Sequence, residues 1–194
     1  MLLYRVTWVD AKWGSLPAES PFHPLFVPLD RQGGGRFDNA HRYASLYLST
    51  SPQGAIGETF GNSSRWIDAE ITRTKDGRPQ CLVTIEIPDD TILFDLDDPE
   101  VLQRLRIRPS DVVRRNRDQT QELAQQVWLD STTTRTRGFQ WWSYWRPEWT
   151  MVVLWSANLD APWFPFAHVM QVVELQMDTP DIVLAADVLP RELG

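Results

Sequence analysis

Apolar and polar residues alternate at several points along the chain, and the wider spacings between them predict the remaining elements. The run "LLYRVTWV" (2–9) alternates as a half-buried strand, and "SLYLST" (45–50) repeats the pattern in a shorter form. Between them Pro17, Pro21, Pro24, Pro28 and the glycines at 33–35 predict a long irregular loop. Loops of that length in compact domains are usually functional or disordered. "SPQGAIGETFG" (51–61) predicts a helix with Ser51 as N-cap, Pro52 in the first turn and Gly61 near the stop, which places Glu58 on that helix.

Farther on, "CLVTIEI" (81–87) and "TILFDL" (91–96) read as strands, and "DPEVLQRL" (98–105) as a short helix capped by Asp98. "DQTQELAQQVWLD" (118–130) carries the clearest helical stripe, through Leu123, Val127 and Trp128. "GFQWWSYW" (138–145), "TMVVLW" (150–155), "VMQVVELQ" (169–176) and "DIVLAADVL" (181–189) read as further strands. Strands at both ends with few helices between them predict an α+β fold with a mainly antiparallel or split sheet. The 194 residues fit one domain, 1–194, with no linker and no internal repeat.

Composition narrows the function classes. A formal net charge of -7 removes general attraction to a phosphate backbone and argues against nucleic-acid binding, while leaving room for a local cluster that grips one phosphate. No apolar run approaches a membrane span of roughly 18 residues. The N-terminus lacks the pattern of a secretory signal, so the cytoplasm is the expected location. Cys81, the single cysteine, lies in an apolar strand pattern and is expected to be a core thiol. Ten tryptophans exceed what a core requires and ask for a packing or stacking role.

Standard catalytic templates are missing. His23, His41 and His168 are scattered without metal-ligand spacing, so no metal is expected. There is no Gly-x-Ser-x-Gly elbow, phosphate-binding P-loop or dinucleotide-binding glycine fingerprint. The acidic "DLDDPE" lacks the spacing of a calcium loop and reads as a solvated helix entry.

The stretch "GGGRFDNAHRYASLYLSTSPQGAIGETF" (33–60) stands apart. An arginine on a glycine loop can grip a phosphate with two donors, and glycine N–H groups can assist. A strand tyrosine can stack on a flat heteroaromatic ring and orient an amide or ribose through its hydroxyl. A glutamate with no histidine or metal partner can hold ribose hydroxyls and support positive charge developing on a sugar. Each residue also has a plain structural alternative: Arg36 paired with Asp38, Tyr47 as a buried strand position, Glu58 as a solvated helix residue. Spacing alone does not separate the two.

"YRV" near the N-terminus, "GGGRFD" ahead of "SLYLSTSPQGAIGE", and the later "GFQWWSYW" together resemble the RES-domain family, toxins of bacterial toxin–antitoxin systems. The resemblance matches Arg36, Tyr47, Glu58 and Ser143 to the family's arginine, strand tyrosine, glutamate and serine, with Phe37 where the family usually has tryptophan. It implies an ADP-ribosyltransferase-like fold, a split mixed sheet around an NAD cleft. It also implies that NAD is the substrate and that the nicotinamide–ribose bond is cleaved without a metal.

By the same resemblance, Glu58 supports the cationic sugar, Arg36 positions a diphosphate or ribose oxygen, Tyr47 stacks near nicotinamide, and Ser143 bonds ribose or phosphate. Water, inorganic phosphate or a protein side chain stands as the acceptor, so a protein ADP-ribosyltransferase or a silent NAD-binding or partner-binding module stays open. A cognate antitoxin and a homodimer are implied. Arg5 and Tyr43 are further candidates for the cleft, and the proline-rich loop is a candidate lid.

Overall fold

The computed structural model describes residues 1–160 and 163–194. The two strands at the centre of the main sheet come first: β1 (Leu2–Trp8) and β2 (Ala44–Ser49). After β2 come α1 (Pro52–Phe60), β3 (Arg65–Trp66), α2 (Asp68–Ile71), β4 (Thr74–Lys75) and the long β5 (Arg78–Glu86). Then follow β6 (Leu93–Asp95), α3 (Pro99–Leu105), α4 (Pro109–Val112), α5 (Arg117–Thr134), β7 (Gly138–Trp142) and β8 (Thr150–Ser156). The chain closes with β9 (His168–Glu174), α6 (Pro180–Val188) and β10 (Glu192–Leu193).

The main sheet runs β4-β5-β1-β2-β8-β7-β6, with β9 also paired to β5, and a small parallel sheet joins β10 to β3. All main-sheet pairings are antiparallel except β6 with β7. The fold is therefore α+β with a mostly antiparallel sheet, as the strand pattern predicts.

One pairing decides where a site can form. β1 follows β5 through seven register pairs but meets β2 at only one, Tyr4 with Ser49. The sheet splits between β1 and β2, and side chains of both strands face into the gap.

Period-two alternation sends β8 side chains to opposite faces. Met151, Val153 and Trp155 pack with residues of α3, α4, α5 and Phe139, whereas Val152 and Leu154 join Leu46, Leu48, Val83 and Ile85. A third cluster, including Ile56, Phe60, Trp66, Ile182 and Ala185, joins α1 to α6. Cys81 is buried in the second cluster, and its thiol is raised to about 11 by burial first and by Glu174 second.

Residues 181–189, expected to be a strand, lie instead mostly within helix α6. Pro180 occupies the first turn, and Ile182, Ala185, Ala186 and Leu189 recur at helical spacing to form the buried face. Strand-like composition yields here to a 3.6-residue period that α1 covers. Elsewhere the end signals hold: Ser51 accepts from Gly54 N at 3.1 Å and Asp98 from Glu100 N at 2.8 Å.

Candidate active site

The glycine loop is organised by one carboxylate. Buried Asp38 accepts from Gly33 N at 2.8 Å and Gly35 N at 2.7 Å through one oxygen, and from the Tyr47 hydroxyl at 2.9 Å through the other. The same hydroxyl accepts from Phe37 N at 2.9 Å. Tyr47 thus ties β2 to the loop through its oxygen, and its ring lines the cavity in the sheet gap, edge-on to Trp141 with centroids 6.5 Å apart. Burial, then neighbouring Asp38, raises the Tyr47 hydroxyl well above the ordinary tyrosine range. Gly35 is required by this closeness, because a Cβ there would lie 2.6 Å from the Tyr47 oxygen.

Arg36 makes no ion pair with Asp38. Its guanidinium donates to the carbonyls of Val112 at 3.3 Å and Arg114 at 3.4 Å and sits 5.0 Å from the Phe37 ring centroid. Burial lowers its pKa, Glu58 and Tyr47 oppose that shift, and Arg115 adds to it. Arg36 and Arg115 therefore feel each other, with Glu58 as the compensating charge.

Glu58 and Ser143 meet across 85 positions of sequence. The Ser143 hydroxyl donates to Glu58 Oε1 at 2.6 Å and accepts from Trp145 N at 3.1 Å. Ser143 is buried just past β7, where its N–H donates to Trp149 O at 2.8 Å. Gly57 lets α1 approach this turn closely, because a Cβ there would collide with the Trp149 ring. Ser143 therefore holds the carboxylate from behind and is not among the residues lining the cavities around Glu58.

Two cavities meet at Glu58, Arg36, Gly34 and Asn62. The larger, about 490 Å³, fills the sheet gap between Arg5 and Tyr47. The smaller, about 310 Å³, opens toward Arg115, Arg117, Tyr144 and Trp145. Arg115 lies 4.1 Å from the Tyr144 ring centroid and 5.5 Å from that of Trp145. The basic run at 114–117 in an acidic chain was the available signal for this second arm.

Arg5 does reach the cleft. It donates to Pro24 O at 3.3 Å, joins no ion pair among the described residues, and is lowered to about 10 by burial. Tyr43 does not: its hydroxyl donates to Phe37 O at 2.9 Å, and its buried ring packs against Trp128 and Trp155. Among the described residues no group of three His, Cys, Asp or Glu is placed to hold a metal ion, and no helix is long and apolar enough to cross a membrane.

The resulting chemistry is that of an anion site with one oriented carboxylate. Comparison with known proteins agrees with the fold and the motif. Among solved structures, the crystal structure of the M. tuberculosis MbcT–MbcA toxin–antitoxin complex contains a chain of like fold, with a TM-score of 0.61 at 17% identity, covering 97% of this chain and 88% of that one. No curated protein sequence matches. The RES domain profile matches residues 2–182, and the chain therefore belongs to the RES domain family.

Proposed function

We propose that this protein is the toxin of a toxin–antitoxin pair and acts as an NAD glycohydrolase or phosphorylase, cleaving the nicotinamide–ribose bond of NAD with water or inorganic phosphate as acceptor. The observation that carries this is Glu58, held by Ser143 at 2.6 Å where two arginine-bearing cavities meet. When the C1–N bond of the nicotinamide riboside breaks, its electron pair neutralises the pyridinium, and the ribose becomes cationic at C1. A carboxylate about 4 Å away at an effective dielectric near 20 stabilises that charge by roughly 4 kcal/mol. Arg36 positions the diphosphate, and the Tyr47 ring walls the nicotinamide side. The acceptor approaches through the cavity of Arg115 and Arg117 and its oxygen bonds to C1, water passing a proton to bulk solvent and phosphate attacking through an oxygen that already lacks one. A cognate antitoxin protein is in keeping with the complex in which the structural neighbour is found, and in this reading its place is over the cleft.

The test is incubation of purified protein with NAD, with and without phosphate, followed by chromatography of the products beside Glu58→Gln. Nicotinamide with ADP-ribose identifies hydrolysis, and phosphorylated ADP-ribose identifies phosphorolysis. Glu58→Gln is expected to lose turnover while binding NAD nearly as well as the parent. Folded parent protein that consumes no NAD in either buffer overturns the proposal.

A further inference from the structure

Three consecutive glycines give the chain ahead of Arg36 little conformational restraint of its own, and Gly33 stands at φ +99°. The place of Arg36 is therefore set from outside the loop. One oxygen of Asp38 takes the N–H groups of both Gly33 and Gly35, which anchors the loop at a single point and leaves it able to pivot there. A second anchor comes from α5. The Gln121 side-chain amide donates to Gly33 O at 3.2 Å and to Gly35 O at 3.0 Å, and its main-chain carbonyl accepts from Asn39 Nδ2 at 2.9 Å. The two glycines are thus held by their carbonyls as well as by their N–H groups.

Glutamine suits this task, because its amide nitrogen carries two N–H donors, one for each carbonyl, and two acceptors fix which way the amide faces. The base beneath it is firm. Asn116 caps α5 by accepting from Gln119 N at 3.1 Å, and Leu123, Ala124 and Val127 pack in the same buried cluster as Phe37, the residue after Arg36. The far end of Arg36 is referred to the same region, since its guanidinium donates to the carbonyls of Val112 and Arg114 just ahead of α5. Arg114 is itself pinned by Asp111 at 2.7 Å and by Gln119 at 2.6 Å. The two guanidinium contacts, at 3.3 and 3.4 Å, are longer than the usual range and go to neutral groups, so by themselves they fix the arginine weakly. The base of the side chain has to be placed by the loop.

We propose that Gln121 is a positioning residue, which sets the place of Arg36 in the cleft by clamping the glycine loop to α5. Gln121 is not among the residues lining the two cavities that meet at Glu58, so its effect passes through the loop. The inference rests on the proposed reaction in taking Arg36 as the group that meets the diphosphate of the substrate.

A double-mutant cycle tests it. Gln121→Met keeps the length of the side chain and removes both donors, and Arg36→Ala removes the group to be positioned. Thermal melts establish that the single and double variants are folded, and Gln121→Glu, which puts acceptors where the donors were, repeats the cycle should Gln121→Met not fold. In the parent background Gln121→Met is expected to lower kcat/KM for NAD about tenfold. In the Arg36→Ala background the same change is expected to lower it by less than about twofold, since no arginine is left to misplace. A residue that only stabilises the fold would cost the same factor in both backgrounds.

Equal factors in the two backgrounds overturn the inference and leave the reaction standing, and so does a folded Gln121→Met enzyme with the kcat/KM of the parent. If the parent consumes no NAD, or Arg36→Ala turns over too slowly to measure, the cycle is read on the affinity for inorganic pyrophosphate by calorimetric titration. Weakening confined to the background that keeps Arg36 supports the positioning role. Equal weakening in both backgrounds, or no binding to the parent, ends it.

Discussion

Ser143 shows how much one hydroxyl can organise. It donates to Glu58 and accepts from Trp145 N, so its removal frees the carboxylate to rotate and leaves a half-buried N–H without this partner. A hydrogen bond to a charged group contributes about 1.5–3 kcal/mol, so Ser143→Ala is expected to lower kcat by about 10- to 100-fold with little change in KM. Steady-state kinetics on NAD read this directly, and a rise in KM with kcat unchanged would place Ser143 on substrate instead. Asp38 has a matching role in the loop. Asp38→Ala strands two glycine N–H groups and the Tyr47 hydroxyl, and a loss of about 2–4 kcal/mol in urea unfolding is expected.

At the scale of elements, the position of Glu58 depends on how closely α1 approaches the turn between β7 and β8. Gly57 sits against the Trp149 ring, and Glu58 follows it on the same helix. Gly57→Ala forces helix and ring apart. Overpacking of this kind costs about 1–3 kcal/mol, and the displacement carries Glu58 away from Ser143. A lowered melting temperature together with reduced kcat is the expected outcome, and a stable variant of full activity would show that the contact is not required. Residues 181–189 carry the opposite lesson. Their valines, leucines and isoleucine read as a strand, yet Pro180 and the stripe of Ile182, Ala185, Ala186 and Leu189 make them pack on α1 as helix α6. Intrinsic preference was a weaker guide there than the face a partner element could cover.

For the whole molecule, net charge and local charge part company. The chain carries a formal -7, yet Arg5, Arg36, Arg115 and Arg117 gather around the cleft with Glu58 as their nearby counter-charge. Burial also sets an alkaline limit. Tyr43 and Tyr47 are raised above the ordinary tyrosine value of 10.0, and Cys81 from 9.0 to about 11. Raised groups keep their protons in the folded state after the unfolded chain has lost them, so their contribution is complete below pH about 9 and declines as pH rises. Arg5, lowered to about 10, and Arg36, also lowered by burial, act in the opposite sense but are two groups against three. The urea midpoint is expected to fall between pH 8.5 and 10.5 by roughly 10% or more, and the fall should be shallower in Tyr47→Phe.

Strand alternation and the caps at Ser51 and Asp98 were legible from local spacing, because short-range geometry and rigid turn residues determine them, whereas Arg36, Tyr47 and Glu58 were singled out by resemblance to a family motif. Matching Ser143 by motif order likewise required only the sequence. Its bond to Glu58, the burial of Tyr43 and the exposure of Arg5 to the cleft did not follow from spacing. Those depend on which strands pair and which do not. The single register pair between β1 and β2 opens the sheet, and that gap, set by contacts between distant segments, makes a cleft from residues that are unremarkable one by one.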